Sequence, residues 1–419
     1  MNVVGVICEY NPFHSGHARM LEQLRRGGAE AIVCAMSGNF VQRGEPAAVN
    51  KMARAEMALR CGADLVLEIP TPWAAAAAET FARGGVEILH RTGVVTGMAF
   101  GAESPDIDAL TTVAEALDSE EFRAALRRRE TGNETFAARR QAAAAELIGT
   151  ERAALLEHPN NILAVEYLRC LRGTGIRPVA IPRQGAGHGE GPAEDGTASA
   201  SHIRELLRLG ETERALTFMP REAADVLRRE MERGLAPASI AYCERAVLDR
   251  LRRMEEKDWI PYDGGGEGLY HRLYQAVRET ADLQTLLERA KTKRYPLARL
   301  RRMVLRAWLE MPDVPERVPY LRLLGANDTG RRLLRQMRLA PVLTKPADVE
   351  KLGKEAAALF RRECRWSDLY TLACPRMLRC GADWRGTAIL LSDEKRGNEY
   401  AEIADIARTA GAGTGDHGL

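Results

Sequence analysis

The sequence predicts an α/β fold with a parallel sheet in its first half, followed by a mainly α-helical second domain. Three observations carry that reading. Short β-branched and apolar runs alternate with helical segments, the pattern of strands joined by crossover helices. A polar loop containing His14-Ser15-Gly16-His17 follows the first such run directly. From about residue 215 onward the pattern changes to long Arg, Leu, Glu and Ala segments punctuated by Pro220, Pro261, Pro296, Pro312 and Pro341.

In chain order, Val3 to Cys8 is the first strand, and a helix runs from about His17 to Arg26 and stops at Gly27-Gly28. Ala31 to Met36 is the second strand, Lys51 to Arg60 a helix, and Asp64 to Ile69 the third strand. The alanine tract Ala74 to Ala78 leads into a helix over Phe81 to Leu89. Strand-like Val94 to Phe100 ends at Gly101, and Arg177 to Ile181 gives one more strand. Gln184 to Thr197 is rich in Gly, Pro and acidic residues without apolar periodicity, which predicts a mobile loop before a helix beginning near Ser201. The reading divides the chain into residues 1–215, residues 216–408 and a Gly-rich flexible tail, 409–419.

Bulk properties narrow the class. A chain of 419 residues is long enough for two or three cores, and 45% hydrophobic with 28% charged residues fits a globular protein. The formal charge of +2 says nothing about partners, so its distribution must. Eight cysteines include no Cys-x-x-Cys, so no metal site is expected and the thiols are expected reduced. The N-terminus has no basic leader, and every apolar run is broken by charge well before the ~18 residues a membrane span needs. A cytoplasmic protein without a membrane partner is expected.

The chemistry concentrates in Glu9-Tyr10-Asn11-Pro12-Phe13-His14-Ser15-Gly16-His17. A loop that leaves a parallel strand and enters a helix is where such Rossmann-like sheets bind ligands. Free N–H groups at the helix start suit phosphate, and Gly16 lets a backbone come close. Two imidazoles three residues apart can donate to phosphate oxygens as pyrophosphate leaves. Alone, the same His pair also fits a core histidine or half a metal site. A second signal is Ala198-Ser199-Ala200-Ser201-His202-Ile203-Arg204, whose hydroxyls, free N–H groups and arginine form a phosphate clamp or, read blandly, a Ser N-cap with a solvated Arg. Three further polar stretches, Ser37 to Pro46, Gly101 to Ser104 and Pro159 to Asn161, sit where a ligand rim or ordinary turns belong. Lys51, beside Arg54 at a helix start, offers a point charge to phosphate or a solvated face.

The third signal is electrostatic. Between Arg289 and Arg338 fourteen basic residues face four acidic ones, a local net of +10. Arg299, Arg302 and Arg306 fall at helical spacing, so one basic face for a nucleic-acid backbone is expected, against a merely solvated helix.

Together these segments resemble the bacterial tRNA(Met) cytidine acetate ligase family, within the HxGH nucleotidyltransferases. The likeness rests on Gly5 to His17, Ser37 to Ala47, Phe100 to Ser104, Pro159 to Leu163, Ser199 to Arg204 and Lys291-Thr292-Lys293-Arg294-Tyr295, in that order. It implies that acetate attacks the α-phosphorus of ATP, giving acetyl-adenylate and pyrophosphate. The wobble cytidine of elongator tRNA(Met) then takes the acetyl group on N4. By resemblance ATP, with Mg2+, would lie on Ile7, Cys8, Glu9, Tyr10, Asn11, Pro12, Phe13, His14, Ser15, Gly16, His17, Ala18, Arg19 and Met20, completed by Gly101, Asn161 and Arg183. His14, His17, Lys51, Ser201 and Arg204 would be the catalytic set, with Ser199 on the pyrophosphate side and the basic segment docking tRNA. Ala198 and His188 depart from the family pattern, where a larger apolar residue and an aromatic hydroxyl are usual. Two other functions stay open at this point: adenylation of another small acid or metabolite, and RNA binding without catalysis. A class I aminoacyl-tRNA synthetase would need a Lys-Met-Ser-Lys-Ser type of loop, which is not found.

Overall fold

The computed structural model describes residues 1–129, 135–183, 197–263 and 268–392. Five parallel strands form the centre: β1 (Val3–Cys8), β2 (Ala31–Ser37), β3 (Leu65–Ile69), β4 (Gly97–Ala102) and β5 (Arg177–Pro182). Their spatial order is β3-β2-β1-β4-β5. β1 lies between β2 and β4, in register Val3 to Ala31 on one side and Val4 to Gly97 on the other. The chain therefore builds outward from β1 in one direction and then returns to its other side. That reversal is the switch point at which open sheets hold ligands.

Alternate strand residues feed opposite faces, as the strand period of two requires. Val33, Ala35, Leu65 and Leu67 join one core, with the helix α3 (Ala78–Arg91) packed there through Phe81, Val86 and Leu89. Ile32, Cys34, Met36 and Val66 join the other, where α1 (Ser15–Arg26) contributes Leu21 and Leu24 and α2 (Lys51–Arg60) contributes Met57 and Leu59. All seven residues of β2 are buried, which is why it reads as an unbroken apolar run. The first core also takes Ala164 and Val165 of α4 (Pro159–Leu171). The second takes Ile203 and Leu206 of α5 (Ala200–Arg208).

The expected helix at His17 begins two residues earlier, because His14 caps it. The strand expected from Val94 starts at Gly97. Of the expected mobile loop, only Thr197 is described, and it is buried; 184–196 and the tail 409–419 lie outside the described residues.

The second half is mainly helical but does not stand apart. β6 (Leu321–Ala326) pairs antiparallel with β3, and β7 (Val342–Leu343) and β8 (Ile389–Leu390) pair parallel with β6. Leu300 and Trp308 of α6 (Leu297–Trp308) and Phe360 and Trp366 of α7 (Lys354–Tyr370) share the core of α3 and α4. Segments on both sides of residue 215 thus contribute strands to one sheet and side chains to both cores. Among the described residues no helix is long and apolar enough to cross a membrane.

Lys51 marks the seam. Its ammonium lies 2.7 Å from Glu68 and 2.8 Å from Asp383, and Arg322 reaches the same two carboxylates at 3.1 Å each. All four side chains are 7% exposed or less, and the Ser367 hydroxyl donates to Asp383 at 2.7 Å. Burial acts to raise the Asp383 pKa, but Lys51 and Arg322 reverse it and hold the carboxyl far below its ordinary range. Its stabilising contribution is present above the ordinary carboxylate range and is lost as pH falls. Removing one member strands the opposite charges in a dry site. Asp383→Ala is expected to lower unfolding free energy by about 3–5 kcal/mol in urea titrations. A loss below about 1 kcal/mol would match a solvated pair instead.

Candidate active site

The loop after β1 is shaped from below by one guanidinium. Arg54, fully buried on α2, donates to Glu9 O at 2.5 Å, Ser37 O at 3.1 Å, Val49 O at 2.8 Å and to Gly38 O. It thereby ties the ends of β1 and β2 together. Asn11, also buried, accepts the Ala48 N–H through Oδ1 at 2.7 Å. Tyr10 adopts φ 47, a conformation that costs a bulky residue about 1–3 kcal/mol. Burial and edge contacts with Phe13 at 4.7 Å and His17 at 4.8 Å hold it there.

The two histidines then cap α1 reciprocally. His14 Nδ1 accepts the Gly16 N–H at 3.1 Å, and His17 Nδ1 accepts the His14 N–H at 3.2 Å. A Cβ on Gly16 would stand 3.0 Å from the His14 ring, so glycine lets that ring fold back over the helix start. With both Nδ1 atoms accepting, each neutral ring carries its proton on Nε2. The rings stack with centroids 3.7 Å apart. Burial first, then the fields of Arg183 and Arg204, push the His14 pKa down to about 4. Burial, His14 and Arg183 depress His17 well below its usual value. The pair is therefore a set of neutral N–H donors beside two arginines, suited to an anion.

The second helix start meets the first. Arg204 of α5 donates to Asn11 O at 2.7 Å and to Ser201 Oγ at 3.3 Å, and pairs with Glu45 at 3.6 Å. Ser199 is the N-cap, accepting the His202 N–H at 3.2 Å, so the bland reading of this serine holds for its lone pair. Both serine oxygens accept, which leaves each hydroxyl proton free to donate. Ser15 closes the junction, donating through its N–H at 3.0 Å and its hydroxyl at 2.9 Å to Phe218 O.

The far rim comes from β4, α4 and the end of β5. Glu103 accepts the backbone N–H groups of Asn160 and Asn161, and Arg183 approaches it at 3.9 Å. The Asn161 Oδ1 accepts the Ser104 N–H at 3.1 Å, while its buried Nδ2 has no partner among the described residues. A Cβ added to Gly101 would meet nothing within 4 Å among the described residues. An unsatisfied donor and an open glycine at the switch point leave room for a group that the described residues do not supply.

Of the other expected site residues, Lys51 lies apart, and the rest flank the histidine loop. Lys51 is 1% exposed, so the solvated-face reading fails, and its ammonium is paired with Glu68 and Asp383 in the buried ion-pair square. Ile7, Cys8, Ala18 and Met20 pack against the two cores, Pro12 and Phe13 are buried, and Arg19 is exposed. The basic face is also corrected. Arg302 donates to Gln42 O at 3.2 Å, Arg306 to Met311 O at 3.1 Å, and Arg299 pairs with Asp263 at 3.4 Å, so these three are spent on the protein. Arg322 is buried on β6. Lys291, Lys293, Arg332, Arg335 and Arg338 remain exposed. Arg54 and Glu103 sit in stretches that read along the chain only as polar, since their partners come from other strands and helices.

The sequence profile described as HIGH Nucleotidyl Transferase matches residues 1–381. A relative from Syntrophomonas wolfei, named tRNA(Met) cytidine acetate ligase, is 35% identical over 410 residues, covering 92% of this chain and 98% of its own. Two crystal structures of Thermotoga maritima TmcAL are 31% identical and cover 94% of this chain and 100% of theirs. The apo form superposes with a TM-score of 0.89, and the form bound with alpha-thio ATP with 0.87. With the neutral histidine pair, the two helix starts and the switch point in place, the chain belongs to the HIGH nucleotidyl transferase family, in the branch of the tRNA(Met) cytidine acetate ligases.

Proposed function

We propose that the protein is an ATP-dependent acetate ligase. It activates acetate as acetyl-adenylate and passes the acetyl group to N4 of the wobble cytidine of elongator tRNA(Met) in the cytoplasm. The observation that carries the reading is the convergence of His14, His17, Arg183 and Arg204 on one anion site between α1 and α5. Membership of the ligase branch, and the nucleotide analogue bound to TmcAL, support ATP as its occupant.

The triphosphate would lie between the two helix starts, against the Nε2–H donors of His14 and His17. Arg204 and the hydroxyls of Ser199 and Ser201 would take the pyrophosphate side. Gly101, Asn161 and Arg183 would border the nucleoside. Fixed donors aimed at the leaving pyrophosphate stabilise charge as it develops, without a covalent nucleophile. Among the described residues no group of three His, Cys, Asp or Glu side chains converges to hold an ion. A magnesium ion would therefore travel on the phosphates, as it commonly does in nucleotide sites. The exposed cations Lys291, Lys293, Arg332, Arg335 and Arg338 would meet the tRNA backbone.

His17→Ala is expected to reduce acetate-dependent exchange of pyrophosphate into ATP by about 10²–10³-fold, the scale of losing one such donor. Exchange supported only by a larger acid would move the reading to a different metabolite. The histidines act neutral, and a depressed pKa keeps them so as pH falls through the usual histidine range. The exchange rate should therefore show no inflection near pH 6.5, and a steep loss centred there in a pH series would contradict the donor role. Binding of tRNA should weaken steeply with salt. Arg302→Ala should cost folding stability while leaving that salt slope intact, and a flattened slope in filter binding would return Arg302 to the RNA face.

A further inference from the structure

We propose that Glu9 receives the exocyclic amine of the target cytidine and takes its proton in the transfer step. The inference rests on the ligase reading above. The N4 lone pair of cytosine is delocalised into the ring, so this amine is a weak nucleophile that must lose a proton as it attacks. The histidines cannot take it, because both Nδ1 lone pairs are engaged by backbone N–H groups and each Nε2 carries a proton. Glu45 is paired with Arg204 and Arg301, and Glu103 is held by Asn160 and Asn161.

Glu9 is different. Its Oε1 is pinned by the Gln42 N–H at 2.7 Å, while its Oε2 receives no hydrogen bond among the described residues, and the side chain is half-buried. Its backbone carbonyl is gripped by Arg54, so the carboxylate is fixed at the end of β1. The short hairpin that pins it, Phe40–Val41 with Glu45–Pro46, also binds the basic helix α6. Arg302 holds Gln42 O, and a Cβ on Gly44, at φ 77, would lie 2.3 Å from Arg302 N. Glu9 thus stands where the adenylate loop meets the half of the chain expected to carry RNA. Burial raises its pKa, while Gln42 N–H, Arg204, Arg54 and Arg43 pull against that, and the field of Glu9 also reaches Tyr167 of α4. A carboxylate shifted toward operating pH makes a better base.

In the step, the bond from N4 to the acetyl carbon forms and the bond from that carbon to the AMP phosphate oxygen breaks. The electron pair leaves with AMP, the N4 proton passes to Glu9, and Glu9 then releases it to solvent. A carboxylate also accepts from the amine of cytosine but meets only an acceptor on uracil, so the same oxygen selects the base.

The test compares Glu9→Gln and Glu9→Asp in two assays: acetate-dependent pyrophosphate exchange, and single-turnover transfer from enzyme-bound acetyl-adenylate to a tRNA(Met) transcript. Transfer in Glu9→Gln should fall by about 10²-fold or more beyond any loss in exchange. Wild-type transfer should decline on the acid side as Glu9 protonates, Glu9→Asp should keep that decline, and Glu9→Gln should lack it. Equal losses in both assays, or an unchanged acid limb in Glu9→Gln, overturns the proposal while leaving the ligase reading intact. Absence of acetate-dependent exchange in the wild-type protein overturns both.

Discussion

Parallel strands end in carbonyl groups with no further partner, and in this protein the ends of β1 and β2 share one cation. Arg54 carries a full charge into a site with no accessible surface, where the loss of water is offset by four carbonyl oxygens around its nitrogens. Those oxygens are backbone acceptors around the ends of β1 and β2 and the start of α2, and Arg54 brings donors to them. One residue thus solves two problems, and its solution sets the path of Glu9 and the turn into Tyr10. The reciprocal histidine cap, the grip of Arg204 on Asn11 and the hairpin at Gln42 all begin from that path.

What could be read along the chain was whatever depends on near neighbours. β2 is buried on both faces and so appears as a continuous apolar run, and α2 runs from Lys51 to Arg60 as its pattern predicts. The histidine loop was legible for the same reason, since capping, glycine and ring stacking all act within four residues. Long-range pairing left no such mark. β6 contains Arg322 within a stretch rich in basic residues, so it looked like part of an RNA surface rather than a strand against β3. Helical spacing put Arg299, Arg302 and Arg306 on a common side, but spacing does not say whether that side meets water or a neighbouring loop. The correction to Lys51 has the same origin: two of its partners are 17 and 332 residues away.

The site and the seam use charge in opposite ways. In the square of Lys51, Glu68, Arg322 and Asp383 every charge is cancelled by a neighbour, and the result is cohesion without reactivity. Around His14 and His17 the positive field of Arg183 and Arg204 is left incompletely cancelled, and the imidazoles stay neutral to avoid adding to it. An anion there would complete the balance that the described residues leave open. The donor on Asn161 and the space above Gly101 follow the same logic.

The square also has a consequence for biosynthesis. Lys51 and Glu68 leave the ribosome early, whereas Arg322 and Asp383 are translated more than two hundred residues later. Throughout that interval the outer edge of β3 lacks its antiparallel neighbour, and unpaired edges invite non-native association. The edge of the first half therefore stays open at one side until the last strands arrive to close it.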